Sequence, residues 1–523
     1  MADRYWVGGT AAWDGTAGTK WALTSGGAGG QAVPTSADDV FFSNLSTGTC
    51  TISTGNTGAK SINCTGFTGT LTGTAAITVS GSVTLVAGMG YTYTGTLTIN
   101  ATSTLTSAGK TFGSITISAS GNTVTLADAM TVGAGSSVIL TGGTINLAGF
   151  TLSTGVFNSD GYGSPRAVAF GSGNIALTST TAATTVLRLA GAGNFTWTGT
   201  GGFTRNMAAT ATVTFGTGGT GTVSNAPNLT VNAGASALTI TGNSWWKNLN
   251  FTGSTSTVTA GNQNFAGNIT LGGGTYTSVG GTIFASGTIT CAGKTLGGAG
   301  VPLTINGSGI TVDLGDAFSG QSVTLTQGTF TTNNFNVTTA AFFQGSNSNT
   351  RALNMGSSTF SIGGGWAFTT STGMTLNAGT STISMTSASA KTFAGGGLTY
   401  YNLNQGGAGA LTITGSNTFN DITDTVQPST VTFTAGTTQT VSNFSLAGTA
   451  GNLVTINSAT PGSQFTLSKA SGTVNAQYLS IQDSNATGGA VWNALLSNGN
   501  VDAGNNTGWR FSLAGGNMFL MFI

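Results

Sequence analysis

The sequence predicts an all-β fold, an elongated right-handed parallel β-helix (solenoid) with aromatic-rich capping ends, and three observations carry that reading. Apolar and hydroxyl residues alternate in short runs, glycine or asparagine separates the runs, and blocks of sequence recur at long intervals. The runs include Ala76-Ile-Thr-Val79, Thr96-Leu-Thr-Ile99, Gly113-Ser-Ile-Thr-Ile117, Leu238-Thr-Ile240 and Leu411-Thr-Ile413. Their period is two, so Ile, Leu or Val points to one face and Thr or Ser to the other. Runs of three to five residues with glycine corners suit coils that pair with the coil above and below. Conventional hairpins would need longer strands and regular Asn-Gly or Asp-Gly turns.

Taken from the N-terminus, residues 1–48 read as a cap or docking region. Trp6, Trp13 and Trp21 fall in it, and bulky rings can plug the apolar core that an open solenoid leaves at its end. Asp38 and Asp39 blunt the unpaired strand edge there. Residues 49–490 form the body, in which multi-coil blocks are duplicated. Gly109-Lys-Thr-Phe112 returns as Gly293-Lys-Thr-Leu296, with Lys391-Thr-Phe393 as a third copy, and Ser164-Pro-Arg166-Ala-Val168 is answered by Asn349-Thr-Arg351-Ala-Leu353. Lys110 and Lys294 lie 184 residues apart, and Arg166 and Arg351 lie 185 apart. At another offset Ala237-Leu-Thr-Ile-Thr-Gly242 matches Ala410-Leu-Thr-Ile-Thr-Gly415. Solenoids tolerate such duplication because each coil touches only its neighbours. Coils of ~20 residues rising ~4.8 Å would give a body on the order of 100–130 Å. Residues 491–516, with Trp492 and Trp509, form the closing coil and C-terminal cap, and 517–523 an apolar tail.

Composition narrows the class. Glu and His are absent from the 523 residues, Lys is scarce, and Thr, Val, Ile, Gly and Ser dominate, which disfavours helix. A hydrophobic content of 38% with positive mean hydropathy favours folding over disorder. A net charge of +1, with 13 scattered basic residues, leaves no cationic patch for nucleic acid. No stretch approaches the ~20 apolar residues of a membrane span, and the opening residues lack a Sec-type signal pattern. Cys50, Cys64 and Cys291 are too few for a disulfide framework and read as small buried hydrophobes. Asn44-Leu-Ser46 and Asn63-Cys-Thr65 match glycosylation sequons, as chance allows in an Asn/Thr-rich chain.

Catalytic chemistry has little to work with. A Ser-His-Asp triad and a His-ligated zinc site are impossible without His, and three scattered Cys make a thiolate site improbable. Two carboxylate pairs, Asp313 with Asp316 and Asp421 with Asp424, test the glycosidase pattern. Residues three apart on a strand point to opposite faces, so both pairs read as turn caps. Gly-rich turns without periodic Asp exclude repeat calcium sites, and turns such as Gly395-Gly-Gly397 precede strands, so they cradle no phosphate. The expectation is a non-enzyme with no cofactor and no metal. Thr-x-Thr pairs are too irregular for an ice-matching face. Trp197, Trp245, Trp246 and Trp366 either fill wide coils or face a ligand such as a sugar.

The two ends also carry a resemblance. Arg4-Tyr-Trp-Val-Gly-Gly9, Trp13-Asp14, Ser25-Gly-Gly-Ala-Gly-Gly30, Val33-Pro34-Thr35 and Ala37-Asp-Asp-Val-Phe-Phe42 resemble the start of β-helical structural proteins of tailed bacteriophages and of adhesin-like bacterial surface proteins. Leu453-Val-Thr-Ile456, Tyr478-Leu-Ser-Ile481, Asp483-Ser-Asn-Ala-Thr487 and Val501-Asp-Ala-Gly-Asn-Asn-Thr-Gly-Trp509 are similar to closing coils of the same group. The resemblance implies a virion fibre or tail-associated stalk that gives reach and host attachment, assembled in the host cytoplasm. Its implied partners are other virion proteins, further copies in a homotrimer, and a host surface glycan or receptor. A bacterial surface adhesin and a glycan-degrading tailspike are the alternatives. The tail residues Met518, Phe519, Leu520, Met521, Phe522 and Ile523 are the docking candidates. They could fold over the last coil, enter a partner or virion socket, or touch a host membrane.

Overall fold

The computed structural model describes residues 2–181, 184–189, 194–206, 213–216, 223–224, 226–232, 237–277, 279–298 and 301–512. They belong to two compact units, Met1–Val279 and Gly280–Ile523. The expected all-β parallel solenoid forms, and the turns of the two units number about 21. Among the described residues the one helical element is a 3-10 turn at Leu496–Asn498.

Alternation and stacking together make the core. In the first unit Ile77, Leu97 and Ile115 are parallel neighbours without offset, as are Val79, Ile99 and Ile117. All six are at most 4% exposed, while the intervening Thr78, Thr98 and Thr116 face outward. Each coil thus adds one rung to a continuous apolar strip, with about 1.5–3 kcal/mol gained per fully buried side chain. Where coils touch at a corner only glycine fits. Gly73 adopts φ 121°, and a Cβ there would lie 2.2 Å from the Ile52 carbonyl oxygen. The opening turn departs from the pattern: Asp3–Trp6 pairs antiparallel with Trp21–Ala22 and parallel with Asp39–Phe41.

The two copies of the lysine motif are followed by strands of matching form. Ile115–Leu126 and Leu303–Leu314 are each 12 residues long, more than twice the expected strand length. Both stay paired through a bend with shifted register, between Ile117 and Thr123 in one and Ile305 and Thr311 in the other. Gly121 (φ 76°) and Gly309 (φ 71°) supply the bend, so the chain rounds a corner without ending the ladder. The preceding corners also match. Asp128 accepts from the Ser107 and Ala108 amides at 2.8 and 2.6 Å, and Asp316 accepts from Cys291 and Ala292, both at 2.6 Å.

The third copy of the lysine motif is a coincidence of letters. Lys110 and Lys294 precede the strands Thr111–Phe112 and Thr295–Leu296, whereas Lys391 opens Lys391–Ala394 and is buried. The Gly242 and Gly415 pair does correspond. A buried glutamine from the next coil, Gln263 or Gln439, donates to each glycine carbonyl at 2.8 Å.

Candidate functional site

The sequence-predicted candidates fall at three kinds of place. Near the N-terminus Trp6 and Trp13 meet Trp21 edge-on, with ring centroids 5.1 and 5.2 Å away, and both lie against Phe42. All three indoles are fully buried, the apolar side of each ring being removed from water by the folded-back opening turn. Asp38 is buried and accepts from the Thr35 amide and hydroxyl and the Ala2 amide. Burial opposes its ionisation, but these donors hold its carboxyl below the usual range. Asp39 faces outward to Lys60 at 2.8 Å and accepts from Ser61. Near the C-terminus Trp492 and Trp509 meet edge-on at 5.0 Å, both beside Phe444. Their indole N–H groups donate to the Thr487 carbonyl and the Ser484 hydroxyl, each at 3.0 Å. The tail candidates Met518 to Ile523 lie outside the described residues.

The mid-chain tryptophans divide as fillers of wide coils. Trp197, Trp246 and Trp366 are at most 4% exposed, and Trp245 is half-buried. Trp366 stacks between Phe343 and Phe393, its parallel neighbours in the adjacent coils, at 5.0 and 6.2 Å. Its indole donates to the Tyr400 hydroxyl at 3.2 Å. The three cysteines are buried and unpaired.

Neither carboxylate pair converges on one point. Asp313 stands half-buried on its strand between Thr288 and Thr331, while Asp316 is spent on the Cys291 and Ala292 amides. Asp421 accepts from the Ser445 hydroxyl at 2.7 Å. Asp424 accepts from the Ala447 amide and the Gln427 carboxamide at 2.8 and 2.6 Å. Burial raises both carboxyls above the usual range against these donors. Asp316, Asp421 and Asp424 thus bond chiefly to groups of a neighbouring coil, Asp424 also to Gln427 of its own turn, where turn caps were expected. No group of three or more Cys, Asp or Glu suited to a metal ion occurs among the described residues.

Four buried cations escaped the sequence reading. Arg166, Arg205, Arg351 and Lys391 are at most 4% exposed, and none has a carboxylate partner among the described residues. Lys391 Nζ donates to the carbonyls of Ser387, Gly407 and Gly409 at 3.0, 3.1 and 2.5 Å. Arg205 Nη1 donates to the Leu177 carbonyl at 2.9 Å. Arg351 donates to the carbonyls of Asn349 and Thr372, both at 2.9 Å, and of Thr370 at 2.5 Å. Arg166, its counterpart in the first block, has no hydrogen-bond partner on Nε, Nη1 or Nη2 among the described residues. The signal was present: in Arg166-Ala-Val168-Ala-Phe170 the arginine shares the inward parity of Val168 and Phe170.

The two arginines each border a cleft on matching coils. The cleft at Arg351 holds about 110 Å³ and is bordered by Gly309, Gly328 and Thr375. The one at Arg166 holds about 430 Å³ and is walled by Asn122, Thr123, Thr144, Asn194 and Thr196. No family model, curated protein or solved structure matches this chain.

Proposed function

We propose that the chain is a non-enzymatic structural protein of a tailed-bacteriophage particle, a fibre or tail-associated stalk that gives reach and host-surface attachment. The observation that carries the reading is the parallel stacking of sparsely charged coils within each unit. Outward Thr, Ser and Asn side chains bond from coil to coil, as in Asn354 with Asn377 at 2.7 Å and Thr72 with Thr92 at 2.8 Å. Backbone ladders reinforced this way resist bending and proteolysis, which is what a stalk requires. The engagement of Asp316, Asp421 and Asp424 with neighbouring coils supports the non-enzymatic part. The partners in this reading are other virion proteins, further copies of the chain in a homotrimer, and a host surface glycan or receptor. The buried tryptophans at the two ends act as caps, and residues 517–523 dock the chain in the particle.

Mass spectrometry of gradient-purified particles from cells that produce the chain tests the assignment. The chain is expected to travel with capsid and tail proteins, and deletion of residues 517–523 is expected to reduce its incorporation at least several-fold. Recovery in the cell envelope with no particle fraction would remove the virion role. Release of new reducing ends from host polysaccharide, abolished by Asp313→Asn, would overturn the non-enzymatic one.

A further inference from the structure

A cleft on the second unit has one cation and no acid in its wall. Thr440, Val441, Ser442, Lys469, Ala470 and Ser471 line it from two successive coils, and it holds about 280 Å³. Lys469 ends the strand Phe465–Lys469 on the inward parity of Phe465 and Leu467, yet it is only half-buried. Val441 is buried in the same wall, while the Lys469 ammonium emerges at the corner and donates to the Ser442 carbonyl. Long cationic side chains follow such a path to keep the charge in water. Among the described residues that is the ammonium's one hydrogen bond, and it forms no ion pair. Asp421, the acid that acts on it at longer range, accepts from the Ser445 hydroxyl instead. Two of the three N–H donors are thus left for what enters the cleft. The next coil fixes the base of the site. Gly488 is the parallel partner of Lys469, and a Cβ there would lie 2.1 Å from the Lys469 carbonyl oxygen. The backbone is clamped, and the lysine side chain keeps its freedom to adjust.

The lining selects the ligand. Thr440, Ser442 and Ser471 offer hydroxyls that donate or accept by rotation, and Lys469 supplies a single positive charge. A guanidinium fork favours a planar carboxylate. An ammonium is a compact point charge with three donors that turn, and it suits an anion whose oxygens point several ways. The volume is several times the ~30 Å³ that a water takes in the liquid, so a tetrahedral oxyanion enters with the first atoms of a group that carries it. We propose that this cleft binds a phosphate group, free or esterified to a surface polymer, with Lys469 Nζ on one oxygen and the Thr440, Ser442 and Ser471 hydroxyls on the others. The site supplies a ligand class for the attachment role proposed above and rests on that reading only for its biological purpose.

Phosphorus-31 magnetic resonance titration of the purified full chain tests it, with inorganic phosphate and glycerol 1-phosphate as separate probes and acetate as competitor. At least one phosphate is expected to bind saturably at one site per chain, and acetate to displace it only at tenfold or greater excess. Tighter binding of glycerol 1-phosphate assigns an esterified ligand, and equal or tighter binding of inorganic phosphate a free one. Lys469→Gln is expected to weaken binding tenfold or more. Lys294→Gln, which removes the same charge elsewhere in the unit, is expected to leave it unchanged. If Lys469→Gln does not fold, Ala470→Tyr decides, since Ala470 is exposed and a ring there fills the cleft; it is expected to abolish binding. The proposal is overturned by no saturable binding of either phosphate, by acetate competing at equal concentration, by Lys294→Gln weakening binding as much as Lys469→Gln, or by either cleft variant binding normally. The measurement needs no particle, so absence of the chain from virions would sink the virion reading and leave this site standing.

Discussion

Lys391 shows how parity places a residue that motif similarity does not. It was grouped with Lys110 and Lys294 as a third copy of one motif, yet in Lys391-Thr-Phe393 it shares the buried face of Phe393, whereas the other two lysines precede their strands. Burial lowers the ammonium to about 8 from its ordinary 10.5, although three carbonyls accept from it. Between these values the unfolded chain binds more protons than the folded one, so this group's contribution to stability rises with pH. Urea unfolding from pH 7 to 9.5 checks it against Lys391→Met, which removes the titration while other groups titrate alike. The native chain is expected to gain on the order of 1 kcal/mol relative to the variant across that range, residual solvation having been discounted. Parallel profiles would contradict it. The inward placement of Arg166 was legible in the same way, from its parity with Val168 and Phe170.

At the scale of elements, the sequence disclosed which residues face inward but not where strands end. Alternation places Ile115, Ile117, Val124 and Leu126 in the core without saying that one 12-residue strand carries all four around a bend. The reason is that Gly121 both permits a turn and, with shifted register, lets pairing continue. Likewise the aromatic ladder of Phe343, Trp366 and Phe393 is assembled from residues 23 and 27 positions apart, and unequal coil lengths hide that register. The ladder is expected to act as a unit. Trp366→Ala removes the middle ring and leaves the Tyr400 hydroxyl without its donor, at a cost of about 3–5 kcal/mol. Chemical denaturation monitored by far-ultraviolet circular dichroism measures it, and a loss below about 1 kcal/mol would show that the ladder is not a packing element.

For the molecule as a whole, the all-β class and the stacked-coil architecture were legible because period-two alternation, glycine corners and long repeats agree with one another. The division into Met1–Val279 and Gly280–Ile523 was not, since the alternation runs through both without a change of composition. The central claim is that each turn adds one rung. Within the second unit Thr295, Ser319, Thr338, Ser361, Ser384, Asn404 and Thr423 are successive parallel partners. Pulsed electron spin resonance tests this most directly, with nitroxide labels on cysteines introduced at these positions after Cys50, Cys64 and Cys291 are replaced by Ala. Six rungs separate Thr295 from Thr423 and four separate Thr338 from Thr423, so backbone separations of roughly 29 and 19 Å are expected. The difference of about 10 Å between the two pairs is independent of the label's own length. Narrow distributions differing by that amount would bear out the stacking, whereas equal distances, or a spacing unrelated to rung number, would contradict it.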